Sequence, residues 1–164
     1  MQSQARHCRR GTRSGEAWQV VYLYEREPAT LKERFREAVW QPADASEIDL
    51  TAHPLAALKG WTLKLNIAAT DLDLAQQGGY WTDKLDIFLV ERDDGNQQAK
   101  VTGQTMGLRL KAATYQKVLR EGIPFDQLVE TTPDAGPVRI VVVDENSGRM
   151  GSATVPAGAL QHAR

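Results

Sequence analysis

The sequence predicts a mainly β fold: an antiparallel, immunoglobulin-like β-sandwich with one or two short helices. Three observations predict it. Short runs of alternating apolar and polar residues recur from Ser46 onward, Gly, Pro, Asp and Asn separate them, and β and α units do not alternate regularly. About seven or eight strands fit this spacing, which suits two packed sheets. The Cys and Trp signature of antibody domains is absent, so the expectation concerns architecture only.

The elements follow in order. Residues 1–15 hold Arg6, His7, Arg9, Arg10 and Arg13 with almost nothing apolar, and read as a tail or the remnant of a preceding domain. Residues 16–42 form a lead-in. In it, "AWQVVYLYE" alternates Trp18, Val20, Tyr22 and Tyr24 against Gln19, Val21 and Leu23, a strand pattern. "TLKERFREAVW" then switches to helical spacing, with Thr30 and Glu33 as a capping-box pair, Leu31, Phe35, Ala38 and Val39 on one face, and Pro42 as the stop.

Residues 43–160 form the sandwich. "EIDLTAH" sets Ile48, Leu50 and Ala52 on one side, and "WTLKLNIAA" sets Leu63, Leu65 and Ile67 inward. "KLDIFLVERDDGNQQAKV" predicts a hairpin cornered at Asp93-Asp94-Gly95-Asn96. In "VTGQTMGLRL", Met106, Leu108 and Leu110 share a parity that Val101 breaks, which predicts a bulge between Gly103 and Gly107. "ATYQKVLREG" is a short crossover helix with Tyr115, Val118 and Leu119 on one face, Gly122 as its C-terminal cap and Pro124 beyond. "PFDQLVET" and "VRIVVVD" are strands joined by a turn at Pro133-Asp134-Ala135-Gly136, and "MGSATV" closes the set.

Composition excludes some partners. With 164 residues, 41% hydrophobic and 25% charged, the chain can bury roughly two-thirds of its unfolded surface. A formal net charge of -1 offers no field for nucleic acid or anionic lipid, and no apolar run approaches the ~20 residues of a membrane span. Cys8 is the only cysteine, so no intrachain disulfide forms.

Candidate chemistry centres on "DENSG". After the apolar run the chain reverses before Met150, which requires Gly148 at positive φ. Asp144, Asn146 and Ser147 can then bond the turn's own amides. Calcium is the competing reading for Asp144 and Glu145, but it needs more converging carboxylates. "GQTMG" runs into a strand, unlike a nucleophile elbow, and "ERDDGN" lacks calcium-loop spacing. His7, His53 and His162 are scattered, which supports neither zinc nor a triad. Asp71 and Asp73 read as a solvated strand face. No catalytic, cofactor or metal residue is therefore assigned. The feature suited to binding is "QQGGYWTDK", where Tyr80 and Trp81 follow a Gly-Gly turn. With Trp61 they could stack on a sugar or anchor a protein.

Three segments carry a family resemblance: "LKLNIAATDLDLAQQGGYWTDKLDIFLVERDDGN", "LRLKAATYQKVLREGIPF" and "PDAGPVRIVVVDENSGRMGSATVP". Across Phe35 to Pro156 the chain resembles the region that follows the von Willebrand factor A domain in VWFA-related proteins of acidobacterial type. "ARHCRRGTRSG" is similar to the end of that preceding domain, whereas its D-x-S-x-S metal motif is not matched by "DASEI". The resemblance implies a noncatalytic accessory, interaction or spacer domain of an extracytoplasmic protein, periplasmic or secreted, with no established ligand. Its partner would be a protein, either its own upstream domain or another chain. The alternative is a carbohydrate-binding module using Tyr80, Trp81 and Trp61. The sequence begins without an export signal, so the resemblance further implies a signal peptide and an A domain encoded upstream.

Overall fold

A computed structural model describes residues 30–57, 60–93, 99–130 and 135–160. By its contacts the chain divides into Met1–Thr30 and Leu31–Arg164. The basic segment, the strand expected around Val20 and the hairpin corner at Asp94–Asn96 lie outside the described residues.

The described residues form eight strands and two α-helices. Helix α1 (Leu31–Trp40) precedes β1 (Leu50–Ala56) and β2 (Trp61–Ile67); a 3-10 turn (Ala69–Asp71) leads to β3 (Ala75–Gln77) and β4 (Tyr80–Asp93). Then come β5 (Ala99–Leu110), α2 (Ala112–Glu121), β6 (Ile123–Val129), β7 (Ala135–Asp144) and β8 (Met150–Val155). The class is mainly β, with two antiparallel sheets. One has the order β1-β2-β6. In the other, β4 carries β5 along one edge and both β3 and β7 along the opposite edge, and β8 follows β7.

Alternation explains the packing. In the smaller sheet Trp61, Leu63, Leu65 and Ile67 face Leu85, Ile87 and Leu89 of β4 and Ile140 and Val142 of β7 across the main core. The opposite face of the larger sheet is covered as well, because Phe35, Ala38 and Val39 of α1 pack on Phe88, Val90, Val141, Val143 and Met150. Burial on both faces accounts for the unbroken apolar run in β7. Each fully buried Val or Ile there contributes roughly 1.5–3 kcal/mol.

Local expectations fare unevenly. Both helices form, and α2 ends at Gly122, whose N–H donates to the Val118 carbonyl at 2.8 Å. The bulge expected between Gly103 and Gly107 is absent: β5 pairs with β4 in unbroken register from Ala99 to Leu110. Val101 needs no extra residue, because it belongs to the face that carries Val90 and α1, not to the main core. The irregularity lies on β4, between Glu91 and Asp93 where it meets β7. Ala135 and Gly136 lie in β7 and not in a turn; Pro133 and Asp134 lie outside the described residues. Ile48 is buried just before β1, in a segment whose amides bond the Met150 carbonyl. Asp71 and Asp73 share no strand face, since the chain makes the 3-10 turn there.

Candidate functional site

The polar residues of the interior gather at one end of the larger sheet, where β7 turns into β8. Asp144 is fully buried, at 0% exposure. Its Oδ1 accepts the amides of Asn146 (2.8 Å) and Ser147 (3.2 Å); its Oδ2 accepts the Asp73 amide (2.8 Å) and the Ser147 hydroxyl (2.6 Å). Asn146 Nδ2 donates to the Asp73 carbonyl at 2.8 Å, so the corner also holds the segment after the 3-10 turn. Gly148 has φ +69°, as the reversal requires, and its N–H donates to the Asp144 carbonyl. Burial alone would raise the Asp144 carboxyl, but the bonds from Ser147, Asp73 and Asn146 hold it below the usual carboxylate range.

Beside it lies Asp83 of β4, only 5% exposed. One of its oxygens accepts the Lys84 amide at 2.7 Å, and Oδ2 is buried with no hydrogen-bond partner. Burial, then the neighbouring Asp144 and Asp73 carboxylates, push this group up to about 7 despite the Lys84 bond. The result is a pair of buried carboxyl groups with opposite tendencies, which can share a proton but are closed to a substrate. Among the described residues no three His, Cys, Asp or Glu side chains converge to hold a metal ion.

A second polar centre sits under α1. Arg139 of β7, 3% exposed, donates to the carbonyls of Ala38 (2.7 Å), Gln41 and Pro42 (3.2 Å) and to the Thr154 hydroxyl (2.9 Å), and pairs with Asp44 at 3.1 Å. It thus caps the C-terminal carbonyls of the helix. Arg92 lies close by, 5.4 Å from the Trp40 ring centroid; burial first, and then the Arg139 charge, lower its pKa.

The three aromatic residues suited to binding are not brought together as a platform. Trp61 is 8% exposed and belongs to the core face of the smaller sheet. Trp81 stacks on Tyr115 of α2, centroids 4.1 Å apart and planes at 12°. Tyr80 has the Arg109 guanidinium 4.0 Å from its ring centroid.

A cleft of about 170 Å³ opens between β5 and β6. It is lined by Ile87, Phe88 and Leu89 of β4, Thr102, Gly103 and Gln104 of β5, Gln127 of β6 and Ile140 of β7, none of which is ionisable. Gln104 and Gln127 are hydrogen-bonded to each other across the seam.

Sequence reading identified Asp144 and Gly148 and missed Asp83 and Arg139. Both had a signal. Asp83 is a charge on the inward parity of Trp81, Leu85, Ile87 and Leu89, and Arg139 interrupts "VRIVVV".

No family model and no curated protein matches the chain. Among solved structures, the E. coli curli protein CsgC is similar at 16% identity and a TM-score of 0.37, over 66% of this chain and 98% of that one. A likeness of that size supports no conclusion about fold or function.

Proposed function

We propose that the chain is a noncatalytic interaction module of a longer extracytoplasmic protein, one related to the VWFA-related group, and that it binds an extended protein segment by strand addition. One observation carries the interaction: the outer edge of β5. This strand runs 12 residues, pairs only with β4 among the described residues, and contains no bulge. From Val101 to Leu108 it has no charge and no proline, the devices that ordinarily blunt an edge. The opposite edge of the sheet, β8, is by contrast covered by the segment Ala45–Ile48, through Glu47 and Ile48 amides on Met150 and the Ser152 amide on Ala45. An unpaired edge beside a small cleft of mixed polar and aliphatic lining suits backbone pairing with one or two side-chain anchors.

The noncatalytic part of the reading is supported by how the polar side chains are used. Asp144 and Arg139 are spent on holding the fold, Asp83 is enclosed, and the cleft holds no acid or base. Sugar binding is disfavoured by the aromatic geometry, since Trp61 is buried and Tyr115 takes a face of Trp81. The extracytoplasmic location rests on the family resemblance alone. Reading the genomic sequence upstream of Met1 tests it: an in-frame signal peptide and A domain are expected, and a stop codon directly before Met1 contradicts the reading.

A further inference from the structure

The end of the larger sheet holds a carboxylate oxygen that nothing satisfies. Asp83 Oδ2 is buried without a donor, on a residue 5% exposed, and because Asp144 pairs with Leu85 the two carboxyls are diagonal neighbours on one face of the sheet. A buried anionic oxygen in that position is costly, whereas a proton on it makes it a donor to Asp144. We infer that Asp83 and Asp144 form a proton-operated latch. With Asp83 protonated its O–H donates to Asp144, and the corner joining β4, the 3-10 segment and the β7–β8 turn stays closed. When that proton leaves, two carboxylates face each other in a water-poor corner and the corner opens.

The neighbouring elements supply no cation paired with either carboxyl: Arg34 of α1 reaches the β7–β8 turn, but it donates to the Gly148 carbonyl and pairs with Glu47. From the segment after the 3-10 turn comes Asp73, while Asp71 accepts the Asp49 amide. From the β7–β8 turn come Asp144 and the exposed Glu145, and the Arg149 guanidinium is engaged on the Asp71 carbonyl. On β5, Leu108 lies opposite Asp83, and Arg109 is turned to Tyr80. On α2, Tyr115 packs on Trp81, and Lys111 at the helix start is exposed. On β4 itself Lys84 reaches Asp83 through its backbone amide. Among the described residues neither carboxyl forms an ion pair.

The sign of the pH dependence follows. Folded, Asp83 keeps its proton up to about 7; unfolded, it loses it near 3.8. Its stabilising contribution is therefore present at acid pH and lost as pH rises through 7. Asp144 acts oppositely: its contribution is present above the unfolded value of 3.8 and is lost as pH falls through its lowered folded value. Together they place greatest stability on the acid side of neutrality.

The test uses the full chain and Asp83→Asn, whose amide can donate to Asp144 but cannot titrate. Hydrogen-exchange protection factors at the Asp73, Asn146 and Ser147 amides, together with Tm, would be measured at mildly acidic and mildly alkaline pH. In the wild type we expect those protection factors to fall about tenfold or more across neutrality, with a falling Tm, while Asp83→Asn holds both constant. Constant wild-type values, or the same loss in Asp83→Asn, overturn the latch. If Asp83→Asn does not fold, the carboxyl ¹³C titration of Asp83 in the wild type decides: a midpoint near neutrality supports the latch, and one in the ordinary aspartate range overturns it.

Discussion

Asp144 illustrates how one buried side chain can determine a corner. It takes three amides and a hydroxyl that would otherwise face a dry interior, so Asp144→Ala strands the Asp73, Asn146 and Ser147 amides. Losses of about 1–3 kcal/mol for each stranded buried donor predict a cost of roughly 3 kcal/mol or more in urea unfolding. Gly148→Val should cost about 1–3 kcal/mol in the same assay. At φ +69° a β-branched residue is strained, even though the nearest side-chain atom, Leu31 Cδ1, stands 3.7 Å from the added Cβ. A neutral Gly148→Val would show that the turn can be built another way. Both residues were legible in the sequence because their causes are local: an apolar run ends, the chain must reverse, and only certain residues serve. Asp83 was not, because its neighbours Asp73 and Asp144 come from other elements and only the fold sets them beside it.

At the scale of elements, the same distinction separates what periodicity reveals from what tertiary packing adds. Helices α1 and α2 and the strands β2, β4 and β7 could be read from spacing. That the apolar stripe of α1 lies on the outer face of the larger sheet could not, and this hidden second layer is why Val101 seemed to demand a bulge. Arg139 fastens the layer. Arg139→Met, which keeps most of the volume, should leave the Ala38, Gln41 and Pro42 carbonyls without a donor and cost about 2–4 kcal/mol, with exchange accelerating first at the end of α1. A change below measurement error would mean that α1 is held by its apolar face and by Arg34, which bonds the Gly148 carbonyl and Glu47, without need of Arg139. Gly151 serves the other covered edge: a Cβ there would stand 2.2 Å from the Ile48 carbonyl oxygen, a backbone atom with little room to yield. Gly151→Ala should therefore lower Tm by several degrees and loosen the Ala45–Ile48 segment from β8. An unchanged Tm would show that this segment shifts freely.

For the whole molecule, what is covered and what is left bare carry the functional reading. One face of the larger sheet is closed by the smaller sheet and the other by α1. The β8 edge is closed by Ala45–Ile48, and the inner end is locked by Asp144. In the larger sheet the outer edge of β5 has no backbone pairing among the described residues; the cleft lies beside it, and a side-chain bond from Gln104 to Gln127 links it to β6. The proposed role is to pair that edge with an extended segment, and the donor proposed from the family resemblance is an A domain encoded upstream. The most direct measurement is an NMR titration of the ¹⁵N-labelled chain with that upstream domain, following every backbone amide. The account predicts shifts concentrated on Val101–Leu108 and on Gln127, abolished by Thr105→Pro, which removes an outward-facing backbone donor while leaving the ladder to β4 its own donors. Shifts confined to other surfaces, or none at concentrations well above those of a weak complex, would contradict it.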